Sequence, residues 1–434
     1  MFTRRGLLAG GSLAAAALLG GCGLRPTGGR TVASGPIATD IELEGAIRFQ
    51  TWNLRSAYLE YFEGLIDEFV TAHPGTSIDW VDQPADGYAD NLQVDASNLD
   101  LPDVLNVAPD LALPLAQAEL LLDLSEARPE TLEAYTEGSV ADYSDAVLGT
   151  TFAYPWYLNT GPIFYNRALF EQAGLDPDAP PSSWDDLFDQ ADAMGDAVDG
   201  AFYMIGQLPA IADLGMYGVQ LLDERGERFT FNDERAVQMV DRYRQAYERK
   251  GLLPDATVLT YTDAGERFQS GQVALSGGSA YDVANFEENA PDLYANLGIT
   301  EALTETGHAN MYSQGIAVSS RTAHPEVAIA FAEFLTSDEK QKEFSRIVDV
   351  FPSTRGALED PYFTEVDDSG SDEVRVAAAG QLDDAVSYTP VIWTEEMRVE
   401  LQRQLSDAVI GRISAQEALD ASVEQANRLA GVSE

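Results

Sequence analysis

The sequence predicts an α/β protein, a parallel sheet with helices packed on it, divided between two lobes. Two observations carry this. Apolar residues switch between a two-residue and a helical period in the order strand, helix, strand, helix, strand. The body is also long: setting aside an N-terminal address and a tether leaves about 390 of the 434 residues, more than one core usually serves. Hydrophobic content of 45% and charged content of 23% belong to a soluble globular chain.

The first strand is "AIRFQTW", where Ile47 and Phe49 alternate with Arg48 and Gln50. A helix follows in "AYLEYFEGLIDEFVTAHPG", with Leu59, Phe62, Leu65, Ile66, Phe69 and Val70 at helical spacing and Pro74-Gly75 as the stop. "TSIDWVDQ" is the second strand, and "LPDVLNVAP" the third, after a helix centred near Leu92. Further on, "FNDERAVQMVDRYRQAYERKG" reads as a helix with Asn232 as its N-cap, Val237, Val240, Tyr243 and Tyr247 inward, and Gly251 as its stop. "HPEVAIAFAEFL" places Pro325 in a first turn and Ala328, Phe331, Phe334 and Leu335 on one face. Thr336 with Glu339, and Ser414 with Glu417, have capping-box spacing. Residues 359–374 read as a polar, acidic loop.

Charge excludes one class of partner. There are 72 acidic residues against 26 basic ones, a formal net charge of −46, and the only lysines are Lys250, Lys340 and Lys342. A nucleic-acid-binding protein needs a basic footprint that releases counterions, and none is present. The acids are spread along the chain and read as a solvated surface. Such a surface suits a salty medium, which screens self-repulsion; it also suits a secreted protein of a GC-rich bacterium. Cys22 is the single cysteine, and His73, His308 and His324 stand far apart, so neither a disulfide framework nor a Cys/His zinc site is expected, and no cofactor is implied.

The N-terminus reads as an address. Arg4 and Arg5 precede an apolar stretch from Gly6 to Leu19, too short to span a bilayer, which takes about 20 apolar residues. "TRRGLL" resembles a twin-arginine export signal. "LGGC", ending at Cys22, resembles a lipobox, with cleavage before Cys22 and lipid on its thiol. Residues 1–21 are then the signal peptide. Residues 22–44 are the lipidated cysteine and a Gly/Pro/Ser-rich tether, reaching roughly 25 Å root-mean-square. This places the body on the outer face of the cell membrane.

Five blocks, in order, resemble the extracellular solute-binding proteins of ABC transporters, in particular the sugar-binding, maltose-binding-protein-like group. They are "FEGLIDEFVTAHPGTSIDW", "LPDVL", "YPWYLNTGPIFYNRALFEQAGLDPDAPPSSWDDLFDQADAM", "FQSGQVALSGGSAYD", and "QGIAVSSRTAHPEVAIAFAEFLTSDEKQKEF" followed by "FPSTR". The resemblance implies a type II, Venus-flytrap fold of two α/β lobes joined by crossing hinge strands. One lobe is expected at 45–110 plus 284–311, the other at 112–280 plus 315–430. It also implies a monomer that traps a carbohydrate between the lobes, does no chemistry on it, and delivers it to the transmembrane subunits of an ABC permease.

A sugar offers flat C–H faces and a rim of hydroxyls, so its site calls for aromatic rings beside amides, carboxylates and arginine. Parallel-sheet proteins place such groups at strand C-termini and crossings. Trp52 and Asn53 end the first strand; Asn106 and Asp110 follow the third. Trp156 and Tyr157 precede the strand in "PIFYN", in a stretch expected to be a loop. Ser279, Tyr281 and Asp282 sit at the second crossing and Tyr312 at the third. Arg355, in "FPSTR", and Trp393 complete the expected set.

Two other functions compete. A glycoside-active enzyme requires two carboxylates across a cleft, and 72 acids supply many pairs. However, no Ser/His or Cys/His constellation, metal motif or phosphate loop supports catalysis. The rival within the same fold is a binding protein for a polyamine, a phosphate ester or a compatible solute. A polyamine calls for clustered carboxylates; a phosphate ester calls for more cations than Arg355.

Overall fold

The structure, a computed structural model, describes residues 35–84, 87–145, 148–259, 264–278, 280–348, 350–366, 370–382 and 384–432. The signal, Cys22, the tether up to residue 34, and Ser279 lie outside the described residues. For Tyr281 the description covers only its backbone, in the helix Ala280–Asn289.

The alternation in "AIRFQTW" becomes the strand Gly45–Trp52, which pairs in parallel with Thr76–Gln83 on one side and Val104–Val107 on the other. The sheet continues with Tyr312–Val318, antiparallel to Val104–Val107, then Tyr154–Asn159 and Phe351–Pro352. Register sorts the side chains by face. Phe49 stands opposite both Trp80 and Val104, and these pack with Ile316 and Val318 on one face. Leu105, Val107 and Ala317 pack on the other. The helices Arg55–Ala72 and Pro325–Leu335 cover the first face, where Phe331 meets Phe49 edge-on at 5.1 Å. Each such side chain, removed from water, stabilises the lobe by about 2 kcal/mol.

The helix Arg55–Ala72 has no cap from its own sequence, since Leu54 stands at the N-cap position. Asp82 supplies one from the neighbouring strand. Its carboxylate accepts from the amides of Leu54 (3.1 Å) and Arg55 (3.0 Å) and from the Thr51 hydroxyl (2.6 Å). A carboxylate at a helix N-terminus also complements the helix dipole.

The second sheet has Ile163–Asn166 at its centre, antiparallel to Leu275–Gly277 and Leu297–Thr300. Its core gathers Tyr165, Phe188, Val240 and Tyr243 with Leu405 and Leu419 of the two C-terminal helices, Glu395–Val409 and Ala415–Leu429.

The strands correct the expected lobe boundaries. Tyr154–Asn159 belongs to the first sheet and Leu297–Thr300 to the second. The first lobe therefore runs to about residue 159 and resumes at 312, while 284–311 joins the second lobe with the C-terminal helices. Backbone pairing decides this, and periodicity carries no information about which sheet a strand enters.

Local corrections follow the same logic. Residues 154–159 form a strand, not a loop. Asp233, not Asn232, caps the helix Glu234–Glu248, accepting from the Ala236 amide at 2.9 Å, while Asn232 bonds Asp420. That helix ends at Glu248 with Arg249 as its C-cap, and the left-handed residue beyond it is Lys250 (φ 63°), not Gly251. Thr336 returns its hydroxyl to the Ala332 carbonyl, and Ser337 receives the Lys340 amide at the next helix start. The Ser414–Glu417 box is present in both directions. Two short helices, Pro361–Thr364 and Gly370–Ala379, fall within or overlap the expected acidic loop.

Candidate functional site

The lobes meet where the chain crosses between the sheets. One crossing lies between Asn159 and Ile163, another between Thr300 and Tyr312. The Thr160 hydroxyl donates to the Asn310 carbonyl at 2.7 Å and ties the two together. A third pass pairs Val386 with Asn310, whose side-chain oxygen accepts from the Tyr388 amide at 3.0 Å. Gly161 is required here: a Cβ at that position would stand 1.9 Å from the Gly278 carbonyl oxygen.

Against these crossings lies a cavity of about 690 Å³. The crossings contribute Asn159, Thr160, Asn310 and Tyr312; the second lobe contributes Trp184, Gln207, Asp213 and Tyr243. Each second-lobe group is set by its element. Trp184 opens the helix Trp184–Val198, whose start is fixed by Ser183 accepting from the Asp186 amide at 3.1 Å. Asp213 sits in the first turn of Ile211–Met216, where its Oδ2 accepts from the Ala210 amide at 2.7 Å. Tyr243 comes from the buried face of Glu234–Glu248.

The described lining of the cavity carries two carboxylates, Asp213 and Asp282. Burial pushes the Asp213 carboxyl up to about 6, against the lowering effect of the Ala210 amide. Burial first, and the Asp213 charge second, raise the hydroxyls of Tyr243 and Tyr312, so all three groups share one field. The Asn310 side chain hydrogen-bonds Tyr312 and opposes that rise. Trp184 is 5% exposed, and its indole N–H has no partner. A buried donor left unpaired costs about 1–3 kcal/mol.

Of the residues expected at the site, the structure brings Tyr312 and Asp282 to this cavity. Tyr312 is 58% exposed and available to a solute. Trp52, Asn53, Asn106 and Asp110 gather instead at the C-terminal edge of the first sheet. Trp52 is half-buried and stacks on Tyr88 at 5.9 Å. Asn53 is exposed, with φ 56°. Asn106 is buried, donating to Gln314 at 3.1 Å, with its own side-chain oxygen unpaired. Asp110 is exposed in the first turn of Pro109–Gln117.

Four expected residues, Trp156, Tyr157, Trp393 and Arg355, lie away from this cavity. Trp156 is fully buried, stacked on Phe344 at 4.9 Å and 14°, so its ring faces core and not solvent. Tyr157 is half-buried beside it, its hydroxyl raised by burial. Trp393 packs on Phe229 and Phe231 inside the second core. Arg355 is half-exposed and faces Glu137 at 3.6 Å. The residues sequence reasoning missed are Trp184, Gln207, Asp213, Tyr243, Asn159 and Asn310. Trp184 lies inside the quoted block that ends "PPSSWDDLFDQADAM".

Beside the crossing lies a second carboxylate. Asp142 is 7% exposed and receives a short hydrogen bond from Ser313, on the strand that follows the crossing. Burial pushes its carboxyl up to about 7.

Two α/β lobes, strands that cross between them, and a polar, ring-lined cavity at the crossing define a two-lobed solute-binding protein of the periplasmic type. The chain belongs to the bacterial extracellular solute-binding protein family, whose sequence model matches residues 55–342. It is 24% identical over 308 residues to the sn-glycerol-3-phosphate-binding periplasmic protein of Escherichia coli strain K12, covering 66% of this chain and 69% of that protein. A putative oligosaccharide periplasmic-binding protein from Synechococcus sp. MITs9220 superposes with a TM-score of 0.76 and 24% identity, over 89% of this chain and 99% of the other. The cyclic alpha-maltosyl-1,6-maltose binding protein of Arthrobacter globiformis gives a TM-score of 0.74 at 17% identity, with 89% and 99% coverage. At these identities the structural likenesses establish the fold.

Proposed function

We propose that this chain is the substrate-binding lipoprotein of an ABC importer. It captures a mono- or oligosaccharide between its lobes and delivers it to the transmembrane permease. The observation that carries this reading is the cavity at the crossings. Its rings (Trp184, Tyr243, Tyr312) suit sugar C–H faces, and its amides and carboxylates (Gln207, Asn159, Asp213, Asp282) suit hydroxyls. The oligosaccharide-binding names of structural neighbours agree with it. The first-sheet edge, with Trp52, Asn53 and Asp110, is the opposing jaw. Hinge closure brings contacts from both lobes onto one solute, and only such differential contacts shift an open–closed equilibrium.

The protein acts as a monomer, is held to the outer membrane face through lipid on Cys22, and catalyses nothing. A thermal-shift screen of neutral saccharides tests the reading. A bound ligand at 100 times its dissociation constant adds about 2.7 kcal/mol of apparent stability. Release of shortened products from oligosaccharides would overturn it in favour of an enzyme.

The named ligand of the Escherichia coli relative raises a second reading, a phosphate ester. The charge of the cavity bears directly on that choice.

A further inference from the structure

The described lining of the cavity contains no lysine or arginine, whereas Asp213 and Asp282 both belong to it. Asp213 is fixed in place: the Ala210 amide engages Oδ2 at the start of the helix Ile211–Met216. Trp184 supplies a ring to the same lining.

A carboxylate accepts hydrogen bonds and repels anions. A phosphate ester brings negative charge beside Asp213 with no lysine or arginine in the described lining to offset it, and in a cavity of reduced dielectric that repulsion is poorly screened. A neutral hydroxyl donates to the carboxylate without that repulsion, so an array of hydroxyls is accepted where its phosphate ester is not.

Resting on the proposal that this cavity is the solute site, we infer that Asp213 determines its specificity: it admits neutral polyhydroxylated solutes and excludes their phosphate esters. The chain thereby departs in ligand chemistry from the relative named for sn-glycerol-3-phosphate. Asp213 does this through charge as well as hydrogen bonding, and the two contributions separate experimentally.

Isothermal titration calorimetry on the full-length mature chain, with matched pairs of probes, makes the test. The pairs are glucose with glucose 6-phosphate and glycerol with sn-glycerol-3-phosphate, with maltose as an added neutral probe. In the wild type, the neutral member of a pair binds about 100-fold tighter than its phosphate ester. Asp213→Asn weakens the neutral probe by about 10- to 100-fold, the loss of a hydrogen bond to a charged group. It also narrows the neutral-to-phosphate ratio by about tenfold or more, because the repelling charge is gone. The asparagine keeps a side-chain oxygen for the Ala210 amide, and an unchanged melting curve verifies the fold. Gln207→Ala is the second variant: it lowers affinity but leaves the ratio at its wild-type value, since no charge changes. A phosphate ester that binds the wild type as tightly as its neutral partner overturns the inference, as does an unaltered ratio in Asp213→Asn; either result leaves the solute-binding reading standing. If spermidine shifts melting and every sugar fails to bind, the carbohydrate reading falls and this inference with it.

Discussion

Replacing Asp142 by asparagine should make the protein progressively more stable, relative to wild type, as pH rises. Asp142 is buried beside the crossing strand, with Ser313 donating to it. Burial raises its carboxyl from 3.8 in the unfolded chain to about 7 in the fold. Between those values the folded state keeps a proton that the unfolded state has released. Stability from this group is therefore full below about pH 4, falls as pH rises, and is lost above about pH 7. Each pH unit in that window costs about 1.4 kcal/mol, so the fold loses about 3 kcal/mol between pH 5 and pH 7. Asparagine has no proton to lose, keeps an oxygen for Ser313, and removes the pH-dependent part. The stability of Asp142→Asn relative to wild type should rise by that amount between pH 5 and pH 8, whatever fixed offset the amide introduces. For a body of about 390 residues, 3 kcal/mol corresponds to about 4 °C in melting temperature. Calorimetric melts of both proteins at matched ionic strength read it out. A difference in melting temperature that stays flat from pH 5 to pH 8 would refute the reasoning, since it would mean that Asp142 ionises as freely in the fold as in the unfolded chain.

Three further predictions separate packing from binding and test the surface charge. Trp156→Ala removes a ring stacked between Phe344 and the rest of the first core, and should lower stability by about 3–5 kcal/mol in urea denaturation. Tyr312→Ala, at a ring 58% exposed, should leave the urea midpoint within the spread of repeat measurements and reduce the shift produced by a bound sugar. A net charge of −46 makes self-repulsion a substantial unfavourable term. Raising KCl from about 0.1 M to 1 M shortens the Debye length from about 10 Å to 3 Å, so melting temperature should climb by several degrees; a flat or falling curve would mean that the acids are already locally compensated.

The strands and helices of the first lobe were legible because each carries its own period. Phe49 and Val104 announce a buried face wherever they lie in the chain, and the structure seats both in one layer. Pairing was less legible. Leu297–Thr300 and Tyr312–Val318 look alike as short apolar runs, yet they enter different sheets, because backbone hydrogen bonds choose partners that no local pattern records.

The aromatic run around Trp156 shows how the site hid. Trp156 and Tyr157 are expected at the site in a loop, but the same residues form a strand whose alternate side chains fill the core, Trp156 among them. The rings that do reach the cavity come one at a time from separate elements: Trp184 from a helix start, Tyr243 from the buried side of another helix, Tyr312 from a crossing. Local concentration of aromatics therefore marks core, where neighbouring strands need volume together. A solute site needs single rings and single polar groups converging from distant positions. Asp213 is the clearest case. In sequence it is one acid among 72; only its burial, its amide-held oxygen and its place among the rings separate it from a solvated surface charge. In a chain this acidic, a carboxylate gains functional meaning from the water it has lost, because only there does its charge act on a ligand with little screening.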